Sequence, residues 1–227
     1  MPEKNVFLAI PSYDGKNYSR FTACLLEGVL DCANHGWGVS PVMRDGDSMV
    51  ARSRSTLASK FLHQTEFTDL VFIDTDILWE AGALNRLLSH DADVVAALYR
   101  KKTLDVDYAV QWLEDREQLR TVNGLIEVKG VAAGFLRITR KALELMVAAL
   151  PELETYDESL HDKKTWAFFN NDVRASGTWD ESYIFCKHWR SIGGEVWVDP
   201  EIELTHIGVW FFTGRQADWL RKRNEPK

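Results

Sequence analysis

Two aspartates, Asp74 and Asp76, stand two residues apart immediately after the apolar run Leu70-Val71-Phe72-Ile73. Carboxylates this close, at the rim of a dry core, repel one another unless a cation neutralises them. A hard divalent ion such as Mn2+ or Mg2+ is the matching partner, because it takes oxygen ligands and bridges to substrate phosphates. A turn with two solvated aspartates is the plainer reading of the same spacing. Far along the chain, Leu204-Thr205-His206-Ile207-Gly208 sets a histidine two residues before a glycine. A neutral imidazole there would complete a carboxylate-rich metal site; a structural histidine is the alternative. Asp180, Glu181 and Ser182 open a helical pattern. Either carboxylate suits a general base acting on a hydroxyl, and both equally suit a helix start, where caps and the dipole favour them. Arg52 and Arg54, and the run Arg100-Lys101-Lys102, are candidate phosphate contacts or simply solvated surface charges.

These side chains can meet only if particular elements carry them. Val6–Ile10 and Leu70–Ile73 are short, wholly apolar runs, the pattern of strands buried on both faces. Trp37–Met43 and Val94–Leu98 read as two more strands. Between them, helical spacing predicts helices over Tyr18–Asn34, Met49–His63 and Glu80–Ser89. Ser48 is the expected cap of the second, with Val50, Leu57, Phe61 and Leu62 facing inward. This β-α alternation favours a parallel sheet with helices on its faces, and ligands of such sheets bind beyond the carboxyl ends of the strands, where Asp74 and Asp76 would stand.

From Tyr108 onward the pattern changes to short strands: Tyr108–Trp112, Leu119–Val122, Leu125–Val128 and Gly130–Ile138. Asn123-Gly124 signals a type I′ hairpin turn. A helix is expected over Thr139–Leu150 and an irregular, aromatic-bearing loop over Glu152–Thr178. Beyond it come a helix over Asp180–Ser191, strands at Glu195–Val198 and Ile202–Thr205, and a basic helical tail from Arg215.

The chain has 227 residues, 45% of them hydrophobic, and a formal net charge of −7. That composition is a folded protein's, and the acidic balance weighs against broad phosphate-backbone binding. Three cysteines form no zinc spacing and no even disulfide framework, which points to a reducing compartment, the cytoplasm. No apolar signal core opens the chain and no run approaches a membrane span, so no stable membrane insertion is expected. With no linker in sight, residues 1–227 read as one domain: a nucleotide-binding half to about 100, a metal-completing and acceptor half over about 101–214, and a basic tail over 215–227.

The ordered set I-P-S-Y-D-G, ARSRSTLASKFL, VFIDTDILW, VVAALYRKK, GVAAGFLRITRKALELM, WDESYIFCKHW and GGEVWVDPEIELTHIG resembles the small GT-A glycosyltransferases of phages, large DNA viruses and bacteria. The resemblance spans nearly the whole chain, from about Val6 to Gly214. It implies an α/β, Rossmann-like GT-A fold: a mostly parallel central sheet, helices on both faces and a small antiparallel extension. It also implies a nucleotide-sugar donor, a UDP-sugar above all, used with Mn2+ or Mg2+. In that pattern Asp76 and His206 hold the metal, and Asp74 contacts the ribose or a metal-bound water. Pro11, Ser12 and Tyr13 line the nucleoside, Arg54 serves the donor site, and Ala133, Gly134 and Phe135 pass near the donor sugar. Trp166, Trp179 and Trp210 are candidate stacking platforms.

The chain departs from the pattern at Ser182, where relatives carry an aspartate base, leaving Glu181 or Asp180 for that role, and at Ser55, where asparagine is frequent. The expected reaction is sugar transfer to a hydroxyl acceptor with inversion. The acceptor would be a saccharide, a lipid-linked glycan or a hydroxymethylated DNA base. Nucleotidyl transfer and non-catalytic nucleotide-sugar binding are the alternatives; the first would normally show a glycine-rich phosphate loop, which IPSYDGKNYS does not match.

Overall fold

The computed structural model describes residues 4–113, 119–160, 163–170, 180–208 and 211–223. The first half alternates as expected: β1 (Asn5–Ser12), α1 (Ser19–Asn34), β2 (Gly38–Asp45), α2 (Val50–His63), β3 (Asp69–Ile73), then a three-residue strand β4 (Ile77–Trp79), α3 (Ala83–Ser89) and β5 (Val94–Ala97). The second half holds β6 (Val110–Gln111), β7 (Thr121–Val122), β8 (Leu125–Val128), β9 (Gly130–Val131), β10 (Phe135–Thr139) and α4 (Arg140–Ala149). It continues through β11 (Glu154–Thr155), β12 (Thr165–Trp166), α5 (Glu181–Ser191), β13 (Val196–Asp199), β14 (Leu204–Ile207), β15 (Phe211–Gly214) and α6 (Gln216–Arg223).

Eight strands form one sheet in the order β2-β1-β3-β10-β5-β13-β8-β7. β10 and β8 run against the rest, and β1, β2, β3, β5 and β13 are mutually parallel in direction. Both faces are covered, and the side chains alternate accordingly. Phe7, Ala9, Phe72 and Leu136 join Leu57 and Phe61 of α2, Leu143 of α4 and Phe185 of α5. Leu8, Ile10, Val71 and Ile73 join Phe21 of α1 and Leu84 and Leu87 of α3. A second sheet, β15-β14-β4, stands apart from the first and is wholly antiparallel.

Several sequence expectations need correction. Ser48 does not cap α2; the amide of Met49 is taken by the Asp47 carboxylate at 3.0 Å instead. Val50 is exposed, whereas Ala51 and Ser53 of the same turn face inward. The run Gly130–Ile138 is two strands, broken where residues 132–134 turn from β9, which pairs β6, to β10 in the main sheet. The expected strand Ile202–Thr205 is shifted by two residues to Leu204–Ile207. The region Glu152–Thr178 is not structureless: β11 and β12 pair within it, and residues 161–162 and 171–178 lie outside the described residues. Asn123 and Gly124 do form the expected turn, with φ of 50° and 80°, matching type I′. Among the described residues no helix is long and apolar enough to cross a membrane.

Candidate active site

Three parallel strands end at one rim of the main sheet, and each delivers a polar or aromatic residue there. β1 ends at Ser12, β3 is followed by Asp74, and β5 is followed by Leu98 and Tyr99. Position 74 is pinned by its neighbours: its amide donates to the carbonyl of Gly134 at 3.1 Å, and its carbonyl accepts from the Ile77 amide at 3.0 Å. This tight turn sends the chain out of the main sheet into β4. There Ile77 lies opposite His206 of β14, and the Ile207 amide donates to the Asp76 carbonyl at 2.7 Å. The small antiparallel sheet is thus what brings residues 76 and 206 together across 130 positions of sequence.

The resulting pair has a defined polarity. His206 Nδ1 lies 2.8 Å from the backbone carbonyl of Arg100. A carbonyl only accepts, so Nδ1 carries a proton, and Nε2 faces Asp76 Oδ2 at 3.4 Å. An imidazole oriented through its second nitrogen by a carbonyl is the usual support of a metal-binding histidine. Two donor atoms sharing one ion stand about 3.0 Å apart at right angles and about 3.5 Å at a tetrahedral angle. The separation therefore fits a divalent cation. Among the described residues no third His, Cys, Asp or Glu joins them to make a closed metal cluster. Burial raises the Asp76 carboxyl pKa, but the contacts with His206 and with the Lys102 ammonium outweigh burial and hold it below the ordinary value.

Asp74 is occupied differently. Arg54 of α2, 3% exposed, sends Nη2 to both of its carboxylate oxygens at 2.8 and 3.1 Å. The Nε of Arg54 donates to Glu181 at 3.1 Å, and its Nη1 reaches the Ala133 carbonyl at 3.4 Å. Burial opposes the guanidinium charge, yet Asp74 and Glu181 more than restore it and raise its pKa. Ser182 extends this network: its hydroxyl donates to Glu181 at 3.1 Å and accepts from the Ala133 amide at 3.1 Å. Asp180 caps α5 through the Ser182 amide at 2.9 Å. The two sequence candidates for a base therefore sit together, Glu181 tied to Arg54 and Ser182, Asp180 tied to the helix start.

Tyr99 is a residue of this site that the sequence reading missed. Its ring meets His206 edge-on at 4.8 Å, and a Cβ at Gly134 would lie 2.6 Å from its Cε1, so only glycine fits there. Burial and the charge of Asp74 push its phenol pKa well up, so it stays protonated. The signal was available: Tyr99 follows a parallel strand just as Asp74 does.

Other candidates fall outside this group. Arg52 pairs with Asp47 at 2.7 Å and Lys101 with Asp107 at 2.7 Å. Pro11 and Ser12 are buried at the end of β1, while Tyr13 is 73% exposed. Trp179 and Trp210 lie outside the described residues. In the tail, Arg215 faces Glu203 and Arg221 faces Asp218 and Glu201.

A cavity of about 890 Å3 lies between α2 and the β11–β12 pair, with Arg44, Ser55, Tyr156, Asp157, Trp166 and Asn170 in its wall. Several of its charged groups are partnered: Arg44 with Asp47 and Asp157, and Asp157 with Thr56. Phe169, also in the wall, stacks on Phe185 of α5 at 4.8 Å, tying the cavity to the helix that begins at Glu181. A second cavity, about 590 Å3 and lined by His90, Trp189 and Glu195, opens at the opposite rim, before β5 and β13.

No protein-family model and no curated protein matches this chain. Solved structures do. A197 from STIV aligns with a TM-score of 0.52 and 17% identity, over 90% of this chain and 86% of that one. GalNAc-T7, solved with UDP, GalNAc and Mn2+, aligns with a TM-score of 0.51 and 11% identity, over 89% of this chain and 43% of that one. At such identities the likeness is one of fold, and the fold is the GT-A type of α/β architecture.

Proposed function

We propose that this protein is a metal-dependent glycosyltransferase that moves a sugar from a nucleotide-sugar, a UDP-sugar first, to a hydroxyl acceptor. The observation that carries this reading is the pair Asp76 Oδ2 and His206 Nε2, 3.4 Å apart at the carboxyl rim of the sheet, with the imidazole oriented by the Arg100 carbonyl. GalNAc-T7, of similar fold, was solved with UDP, GalNAc and Mn2+, which supports the same class of donor and metal here.

Asp76 and His206 would hold Mn2+ or Mg2+, which when bound would neutralise charge gathering on the departing diphosphate. Arg54 fixes Asp74 toward the ribose side of the donor and ties it to α5 through Glu181. The open ring of Tyr13, just past β1 and 73% exposed, would cover the nucleoside beside Ser12 and Pro11, and Gly134, whose lack of a side chain lets Tyr99 pack against the backbone, would pass near the sugar. The acceptor oxygen attacks the anomeric carbon, the bond from that carbon to the phosphate oxygen breaks, and the acceptor proton passes to a carboxylate at the start of α5. Asp180 or Glu181 takes that proton, and a single displacement inverts the anomeric centre.

The acceptor is a neutral glycan in this reading. The cavity beside α2 combines the rings of Tyr156 and Trp166 with hydroxyl and amide groups, and both of its arginines are held by carboxylates, Arg44 by Asp47 and Asp157 and Arg52 by Asp47. Such a wall suits sugar faces and hydroxyls better than a phosphate backbone. The tail cations Arg215 and Arg221 are likewise partnered by carboxylates, which weighs against a DNA acceptor held through its phosphates. The test is a donor panel of UDP-glucose, UDP-galactose, UDP-N-acetylglucosamine and GDP-mannose, with Mn2+ or with chelator, following nucleoside diphosphate release. Chelator-sensitive release from one donor supports the proposal. Release of pyrophosphate instead would mean nucleotidyl transfer. Donor binding without turnover in the presence of acceptor glycans would leave a nucleotide-sugar binder, a second reading favoured by the engagement of Glu181 with Arg54 and Ser182.

A further inference from the structure

Lys102 belongs to a short excursion beyond β5 that is clasped at its neck. Arg100 bridges Tyr108, and the Lys101 amide donates to the Asp107 carbonyl at 2.9 Å. From this clasped loop the Lys102 side chain reaches back to the site, with Nζ 2.6 Å from Asp76 Oδ2. That is the same oxygen that faces His206 Nε2. One carboxylate oxygen thus carries an ammonium where a cation shared with the imidazole would bind. A divalent ion and an ammonium cannot both sit against it, because their repulsion at such range is strong.

The side chain of Lys102 is 39% exposed and its backbone is held by the neck of the loop. Rotation about its own bonds is enough to leave Asp76, and the ammonium stays within reach of an anion bound at the same rim. Arg54, in contrast, is locked on Asp74 and Glu181, and Lys101 on Asp107.

We propose that Lys102 is a resident counter-cation of Asp76 that must be displaced by the divalent ion and is then received by the donor diphosphate, so that metal and donor bind as a coupled pair. The inference rests on the glycosyltransferase reading and adds to it a regulation of the same site. Without donor, the ion competes with a tethered ammonium and binds weakly. With donor, the phosphates both ligate the ion and accept Lys102, so each ligand strengthens the other, as linkage requires.

The experiment measures Mn2+ binding by electron paramagnetic resonance, with and without UDP, for the wild-type chain, K102M and K102R. K102M is expected to bind Mn2+ alone roughly five-fold more tightly than wild type, the scale of a partly exposed ion pair. It is expected also to show a smaller enhancement of Mn2+ affinity by UDP. K102R keeps the charge and should resemble wild type in both. Equal or weaker Mn2+ binding by K102M, in a protein whose melting temperature is unchanged, overturns the counter-cation role. Absence of Mn2+ binding to all three proteins, even with UDP, overturns the metal-dependent reading itself.

Discussion

One nitrogen of Arg54, Nη2, donates to both carboxylate oxygens of Asp74, and the neighbouring Nε holds Glu181, 127 residues away in sequence. The buried guanidinium stands between two carboxylates that are themselves largely withdrawn from solvent, 27% and 13% exposed. Removing one member of a buried ion group strands the others without compensation. Arg54→Met is therefore expected to lower the unfolding free energy by about 3–5 kcal/mol, read as a shift of the urea midpoint. Adding Asp74→Asn should recover part of the loss. A single variant within about 0.5 kcal/mol of wild type would mean that the triad does not hold α2 to α5.

Asp76→Asn keeps the shape of the side chain and removes its charge. Because Asp76 is 30% exposed and outside both apolar clusters, the melting curve should barely move. Chelator-sensitive nucleotide release should fall by roughly a hundred-fold or more, the scale of losing one preorganised charge contact. Retention of that release in Asp76→Asn would remove Asp76 from the metal site.

Gly134→Ala tests the packing of the same rim. The added methyl would stand 2.6 Å from Tyr99 Cε1 and 2.8 Å from its hydroxyl, too close to be absorbed without moving the ring. Overpacking of this kind costs about 1–3 kcal/mol, and Tyr99 leans on His206, so metal affinity should fall with stability. Gly134→Ala combined with Tyr99→Ala should regain stability by opening space. If the double variant is less stable than the sum of the two singles, the clash is elsewhere.

Asp199 sets an acid limit on the fold. It is fully buried and meets Arg86 at 2.6 Å and His90 Nε2 at 2.7 Å. Burial alone would raise its pKa, but the hydrogen bonds from His90, Arg86 and the Glu201 amide outweigh burial and bring it to about 2. The folded value lies below the unfolded one, so the contribution is complete above about pH 4 and is lost as pH falls toward 2. The span amounts to about 2 kcal/mol. Asp199→Asn should flatten that part of the stability-pH curve; an unchanged slope between pH 4 and pH 2 would assign the acid sensitivity to other carboxylates.

Much of the frame was legible because burial on two faces writes itself as uninterrupted apolar runs. Leu70–Ile73, Val94–Leu98 and Val6–Ile10 declare strands, and Phe21, Leu25 and Cys32 recur at helical spacing along α1. The rim residues after β3 followed from that frame. What stayed hidden depends on long-range pairing. Ile77–Trp79 is too short and too apolar to distinguish from the start of a helix, and it becomes a strand only because Leu204–Ile207 lies beside it. The break between β9 and β10 has the same origin: residues 130–138 read as one strand until two different partners claim its ends. Ser182 looked like a lost base by comparison with the family pattern, and in the fold it clamps Glu181 to the Ala133 amide. Tyr99 carried no chemical signal of its own, and Lys102 stood out only as one of three consecutive cations, Arg100-Lys101-Lys102; its contact with Asp76 depends on what stands opposite it.

The order of strand addition has a consequence for how the protein comes into being. Every strand of the eight-stranded sheet is present by Asp199, whereas His206 arrives on β14, which pairs only with β4 and β15. A chain emerging from the ribosome can close its main scaffold before His206 exists. Closure of the scaffold and completion of its rim are thus separable in time, because residues 76 and 206 meet only when β14 docks beside β4.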